Sequence, residues 1–334
     1  MAPSNQVQTS GVLTAGLRTT FVNAFRRKFA GVAERLSNMM GLGLPSDKRT
    51  ETYAYFLTAP YPVIWNRGTE VSSGTMEDRS FSVTNDKWGR RISWAVEDRE
   101  DDQTHSLYDQ ARQLGEHFAT LPERVFYQWI TGATDADLLP TIPNSADGSA
   151  LYITTTRYGV SAGNNISGSG VATAGALRTD LFDAAEAFLL FQDAQGEPLF
   201  DQSVVDEGLC VTYNVANDRI FREAFTQTRT MQINAGTSTT DTTSAAAVTN
   251  IVLESGMNLQ LIPTQRISDD DWFIFAKGAP HKPVFMQNRT PIEEKILNPA
   301  TDAGLASKDE EGLQWRQRAG FGAAEAYGTI RVNN

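Results

Sequence analysis

The sequence predicts an α+β fold, and three observations carry that prediction. Apolar residues recur at helical spacing over Thr19–Met40 and again over Ser106–Thr131. Strand-like alternation occupies the stretch between them, and further apolar strands are scattered through the C-terminal half. Their order never settles into the strand–helix–strand repeat of a parallel α/β protein, and no internal repeat is visible.

The chain has 334 residues, enough for one elaborate domain or two ordinary ones with a substantial core. Hydrophobic content of 40% with 10% aromatics excludes global disorder. No apolar run approaches the roughly 18–20 residues that cross a bilayer. The one cysteine, Cys210, lies in the apolar "GLCVTYN" and reads as a buried structural thiol. The net charge of −11 is uneven: residues 1–50 carry seven Lys/Arg against Glu34 and Asp47, which leaves −16 on the remainder. A body this acidic argues against broad, tight nucleic-acid binding.

Taken in order, residues 1–17 are small and polar and read as an extended arm. The helical stripe that follows (Phe21, Phe25, Phe29, Val32, Leu36, Met39) has Arg26, Arg27, Lys28 and Arg35 set among it, and "GLGLP" stops it. A transit peptide would be richer in serine, so an amphipathic helix packed on its own protein is the simpler reading. Phe81 and Val83 then alternate with Ser80, Ser82 and Thr84, and Ile92, Trp94 and Val96 alternate with Arg91, Ser93 and Ala95. The pattern predicts a long hairpin with Lys87, Trp88, Arg90 and Arg91 near its tip. Such a two-stranded ribbon is marginal alone and needs something to lie on. The acidic run "EDREDD" (Glu97 to Asp102) precedes the long helix, whose stripe is Leu107, Ala111, Leu114, Phe118, Leu121, Val125 and Trp129. Pro122 kinks or restarts it, with Thr120 a candidate cap.

A Gly/Ser/Asn-rich region leads to a second helix, Leu177 to Phe191. "GLCVTYNVANDRIFREAFTQT" reads as strand, turn, helix, and "NAGTSTTDTTSAAAVTN" as a low-complexity loop. Strands follow in "IVLESGMNLQLIP" and "DWFIFAKG", and a last pair around "LQWRQRAGFG" and "AYGTIRVNN".

The sharpest catalytic signal is "GVSAG", Gly159 to Gly163, a match to the esterase elbow. Ser161 would be the nucleophile, His281 the base and Asp269, Asp270 or Asp271 the orienting acid. The elbow needs a helix directly afterwards, and "NNISGSG" starts one poorly, so this serine-hydrolase reading is the weaker one. The acid clusters Glu97–Asp102, Asp269–Asp271 and Asp309–Glu311 lack the spacing of a calcium loop and read as solvated runs, so no metal or cofactor is expected. Trp88, Arg90 and Arg91 suit either a nucleic-acid groove or a protein interface, and the acidic body favours the protein.

"YAYFLTAPYPVIW", "FSVTNDKWGRRISWAVEDREDD", "LPERVFYQWITGA", "DGSALYI", "LCVTYNVANDRIFREAF" and "RQRAGFG" occur in an order that resembles the major capsid proteins of tailed bacteriophages with the Hong Kong 97-type fold, within them the Mu-like major head subunit. An aromatic pair followed by a histidine, expected near "DGSALYITTTRYG", is missing. The resemblance implies an N-terminal arm (1–50), a peripheral domain (51–65 and 103–200) with a spine helix at 106–131, and an extended loop (66–102). It also implies an axial domain (201–280) and return strands (281–334). It implies a structural protein and not an enzyme: a virion shell of pentamers and hexamers, icosahedral or prolate, assembled in the host bacterial cytoplasm around double-stranded DNA. Phe81, Val83, Lys87, Trp88, Arg90, Arg91 and Trp94 would then contact a neighbouring subunit. A separate scaffolding protein, a portal and decoration proteins would be partners, with no membrane. Some members of the fold join a loop lysine to an asparagine; Lys87 is the loop lysine here, and no such bond is expected. The same fold in encapsulin nanocompartments is the nearest alternative use.

Overall fold

The computed structural model describes residues 10–58, 62–68, 70–71, 77–95, 97, 106–157, 161–193, 196–227, 229–233, 245–297 and 310–334. Helix α1 runs from Ser10 to Leu36, longer at its start than the apolar stripe predicts, so residues 10–17 are helix and not extended arm. The "GLGLP" segment is strand β1, Met40–Pro45, parallel to β11 (Val284–Leu297). The long helix divides into α2, Ser106–Ala119, and α3, Leu121–Thr131, with Pro122 in the first turn of the second. Thr120 is at the break, but its hydroxyl donates back to the His117 carbonyl at 3.1 Å and caps nothing.

Two sheets make the body. One has the order β1–β11–β12–β4, where β12 is Glu310–Ala323 and β4 is Asp86–Ala95. The other has the order β5–β13–β10–β6–β9, built from Asn165–Ser167, Thr329–Asn333, Trp272–Ala276, Leu209–Asn214 and Leu259–Thr264. The predicted second helix is α4, Ala174–Leu189, capped by Thr173, whose side chain accepts from the Ala176 N–H at 3.2 Å. The short α5 is Gln202–Asp206, and the predicted strand–turn–helix is β6 followed by α6, Asp218–Phe225. Ile251–Glu254, read as strand, is one helical turn, α7. Strands β7 (Arg229–Ile233) and β8 (Ala245–Thr249) pair on either side of the low-complexity loop, most of which lies outside the described residues.

The apolar run "WFIFA" of β10 is buried at every position because layers cover both faces of its sheet. Trp272, Ile274 and Ala276 join the core under α4 and α6, while Phe273 and Phe275 face α3 and the first sheet. Cys210 is on that second side, and burial pushes its thiol pKa up to about 12, which makes it an inert core residue.

A third core joins α1 and α2 to the first sheet through Leu17, Phe21, Leu107, Ala111, Trp94 and Trp315. Phe21 and Trp315 stack at 4.4 Å between ring centroids. Gly115 permits this approach: a Cβ there would stand 2.5 Å from the Phe21 carbonyl oxygen. Arg35 donates to both carboxylate oxygens of Glu123 at 3.1 Å, and Arg18 meets Glu294 at 2.8 Å. The basic helix is therefore an amphipathic element packed on its own protein.

Candidate assembly surfaces

The predicted hairpin does not form. Strand β3, Glu77–Thr84, pairs with β2, Thr50–Thr58, in the register Tyr53 to Phe81 and Glu51 to Val83. Strand β4 pairs instead with β12, from Asp86 opposite Ala319 to Ala95 opposite Glu310. The alternation of both strands was legible, but alternation does not name a partner. The residue between them, Asn85, is buried and passes the chain from one sheet to the next.

Its side chain fastens the root of the β2–β3 ribbon. Asn85 donates to the Ser46 hydroxyl at 2.7 Å and the Lys48 carbonyl at 2.8 Å, and accepts from the Gln287 amide at 3.0 Å. Gln287 accepts in turn from the Tyr53 hydroxyl at 2.6 Å. Glu51 accepts from the backbone N–H groups of Lys48 and Asp47, which hold its carboxyl below the usual value. Gly320 lies against this cluster, where a Cβ would fall 2.7 Å from the Thr84 carbonyl oxygen. The result is a rigid root in a fully hydrogen-bonded polar cluster.

Val63, Ile64, Trp65 and Val71, in the segment joining β2 to β3, are exposed, Ile64 at 91% and Trp65 at 66%. Val63, Ile64 and Trp65 belong to "YAYFLTAPYPVIW", one of the phrases that carry the family resemblance. Its signal as a surface element was the absence of helical or alternating period in an apolar stretch.

The predicted contact residues divide. Val83 and Trp94 are core residues of this subunit, each 4% exposed. Phe81 stacks on Tyr53 at 5.4 Å and meets Phe285 edge-on, and Trp88 donates its indole N–H to the Ala319 carbonyl at 3.1 Å. Lys87, Arg90 and Arg91 are exposed. The apolar members are taken up inside the subunit, Trp94 because β4 lies against α1 and α2, while the cations remain exposed.

Ser161 is fully buried, and its hydroxyl accepts from the Gln192 N–H at 3.1 Å. The chain after it enters β5 and not a helix, while His281 stands near Glu325 at 3.9 Å and Asp271 holds Arg331. The hydrolase constellation is not assembled; Gly159 and Val160 lie outside the described residues. Nearby, the guanidinium of the buried Arg157 grips Asp147 and donates to the carbonyls of Ala150 and Leu151 at 2.9 and 2.7 Å. Burial alone would raise the Asp147 carboxyl, but the Ser145 hydrogen bond and the Arg157 charge overcome it and hold it low.

A model of the family described as phage capsid protein matches residues 79–332. The chain belongs to that family. A second family model, the Mu-like prophage major head subunit gpT, matches residues 13–138. No curated protein matches in sequence. Among solved structures the chain is similar to the capsid of the cyanophage P-SCSP1u, with a TM-score of 0.55 at 13% identity over 88% of this chain and 85% of that one. It is also similar to a chain of Mycobacterium phage Adephagia, at a TM-score of 0.52 and 16% identity over 90% and 89%. The capsid of a native GTA particle gives a TM-score of 0.56 at 10% identity over 89% and 88%. The fold is thus the Hong Kong 97-type capsid fold, and this capsid protein is a shell-forming, homo-oligomeric component of the virion head, not an enzyme. Among the described residues no helix is long and apolar enough to cross a membrane.

Proposed function

We propose that this capsid protein assembles as pentamers and hexamers into an icosahedral or prolate shell around the double-stranded DNA of a tailed phage. The observation that carries this reading is the segment joining β2 to β3, which leaves Val63, Ile64, Trp65 and Val71 largely exposed. An apolar patch left open by folding is an interface in waiting. Placed across an adjacent copy, it makes a head-to-tail contact, and such contacts close into rings when the rotation allows. The extended loop of the domain plan is then this ribbon, residues 50–84, while β4 belongs to the peripheral body beside the α2–α3 spine. The β6–β10 sheet region supplies the axial domain. The acidic body repels DNA and keeps the packed genome from adhering to the wall. A separate scaffolding protein, a portal and decoration proteins complete the assembly in the host cytoplasm.

Negative-stain microscopy of the purified protein beside an Ile64→Ser/Trp65→Ser variant tests the reading. Shells or rings from the wild type, lost in a variant of unchanged circular dichroism, are expected. A variant that assembles as well as the wild type would overturn the ribbon's role. Co-purified DNA supports a genome shell, and a co-purified protein cargo would overturn it in favour of a nanocompartment.

A further inference from the structure

The first sheet has a second face, turned away from α1 and α2, and on it the strand register gathers positive charge. Lys87 lies opposite Arg318, Gly89 opposite Arg316 and Arg91 opposite Gln314, while Lys295 flanks Gln314 from the third strand. Arg316 is paired with Glu293 at 2.8 Å. Among the described residues no carboxylate forms a salt bridge with Lys87, Arg91, Lys295 or Arg318. Two open hollows lie along this edge of the sheet, about 530 Å³ lined by Lys87, Arg90, Arg91 and Gln314, and about 360 Å³ lined by Lys87, Glu293, Arg316 and Arg318.

Like charges set directly across two strands destabilise a sheet. Here a protein of net charge −11 places Lys87, on an edge strand, against Arg318, and the Glu293 carboxylate beside them is taken up by Arg316. Such a face is stabilised by an acidic partner. The longest acidic run in the chain is Glu97–Asp102, five carboxylates and Arg99 in six residues, of which Glu97 is described and exposed.

Resting on the shell-forming role, we infer that this cationic face receives the Glu97–Asp102 run of a second copy. A subunit's own run is held between Ala95 and Ser106, whose neighbours Trp94 and Leu107 share one core. A ten-residue connection pinned at both ends extends roughly 18 Å at most. Lys87 is eight residues along β4 from Ala95, about 26 Å away, so the Lys87–Arg318 end is out of its reach. The run of one copy meets the sheet face of another, so the contact is head-to-tail and repeats around a ring. It is exposed to solvent and is therefore weakened by salt.

The test is reciprocal charge reversal in the full chain, read by sedimentation velocity and negative-stain microscopy. Lys87→Glu/Arg91→Glu/Arg318→Glu is expected to lose assembly while keeping its circular dichroism spectrum. Glu97→Lys/Glu100→Lys/Asp101→Lys is expected to fail alone, and an equimolar mixture or a combined six-site variant to recover at least half of wild-type particles. Wild-type assembly is expected to fall at least tenfold in yield between low and molar salt. Charge-reversed proteins that assemble like wild type would overturn the inference alone, as would a loss with no reciprocal recovery. Loss of duplex-oligonucleotide binding with assembly intact would also overturn it and make DNA the ligand. A wild type that forms no ring, shell or smaller oligomer at any concentration would overturn the inference and self-assembly together.

Discussion

Asn85 and Arg157 are buried polar residues whose removal leaves several polar atoms stranded. Asn85 satisfies Ser46, Lys48 and Gln287 together at the ribbon root. Asn85→Leu keeps the volume and orphans these buried groups, so it is expected to cost about 1–3 kcal/mol in urea unfolding. Arg157→Met strands the buried Asp147 carboxylate and is expected to cost about 3–5 kcal/mol. Asp147 also sets a pH dependence. Its folded pKa is depressed, so its contribution is present above the unfolded carboxyl value and is lost as pH falls through the folded one. Asp147→Asn is expected to flatten the acid limb of the stability–pH curve below about pH 4, and an unchanged limb would refute that assignment.

At the scale of elements, the join of α1 to the α2–α3 spine depends on close backbone approach. Gly115 has no room for a Cβ beneath Phe21. Gly115→Val is expected to push α1 off the spine, lower stability by about 1–3 kcal/mol and expose Trp315 to fluorescence quenchers. The break at Thr120 follows from Pro122, and Gly132 closes α3 in the left-handed region at φ 76°. Strands β3 and β4 follow one another across Asn85 but belong to different sheets, so β3 pairs in the ribbon while β4 stays in the body.

At the scale of the whole molecule, three cores among the described residues bind one subunit that still leaves an apolar segment and a cationic face uncovered. Assembly that buries these surfaces is linked to stability, because a partner that binds only the folded subunit raises its unfolding temperature. Assembled particles are expected to melt several degrees above free subunits in calorimetry. Ile64→Ser/Trp65→Ser should remove that increment and leave the free subunit's melting unchanged. Equal melting of particles and free subunits would count against burial of that segment.

The local code was readable because it is local. Periodicity placed the α2–α3 stripe and the β6–α6 unit, proline placed the break between α2 and α3, and the order of short phrases disclosed the capsid family. The residues after Ser161 do not favour a helix, and in the fold they form β5 while Ser161 is buried. What tertiary structure alone decided is pairing. Phe81 and Trp94 sit on alternating strands one residue apart across Asn85, and alternation says which face is apolar but not which strand lies opposite. Strand partners are chosen by contacts more than 200 residues away, such as Trp88 with Ala319, whose free energy no short window contains. The same distance in sequence hid the gathering of Lys87, Lys295 and Arg318 on one face, since charges from three strands become neighbours only when the register is set.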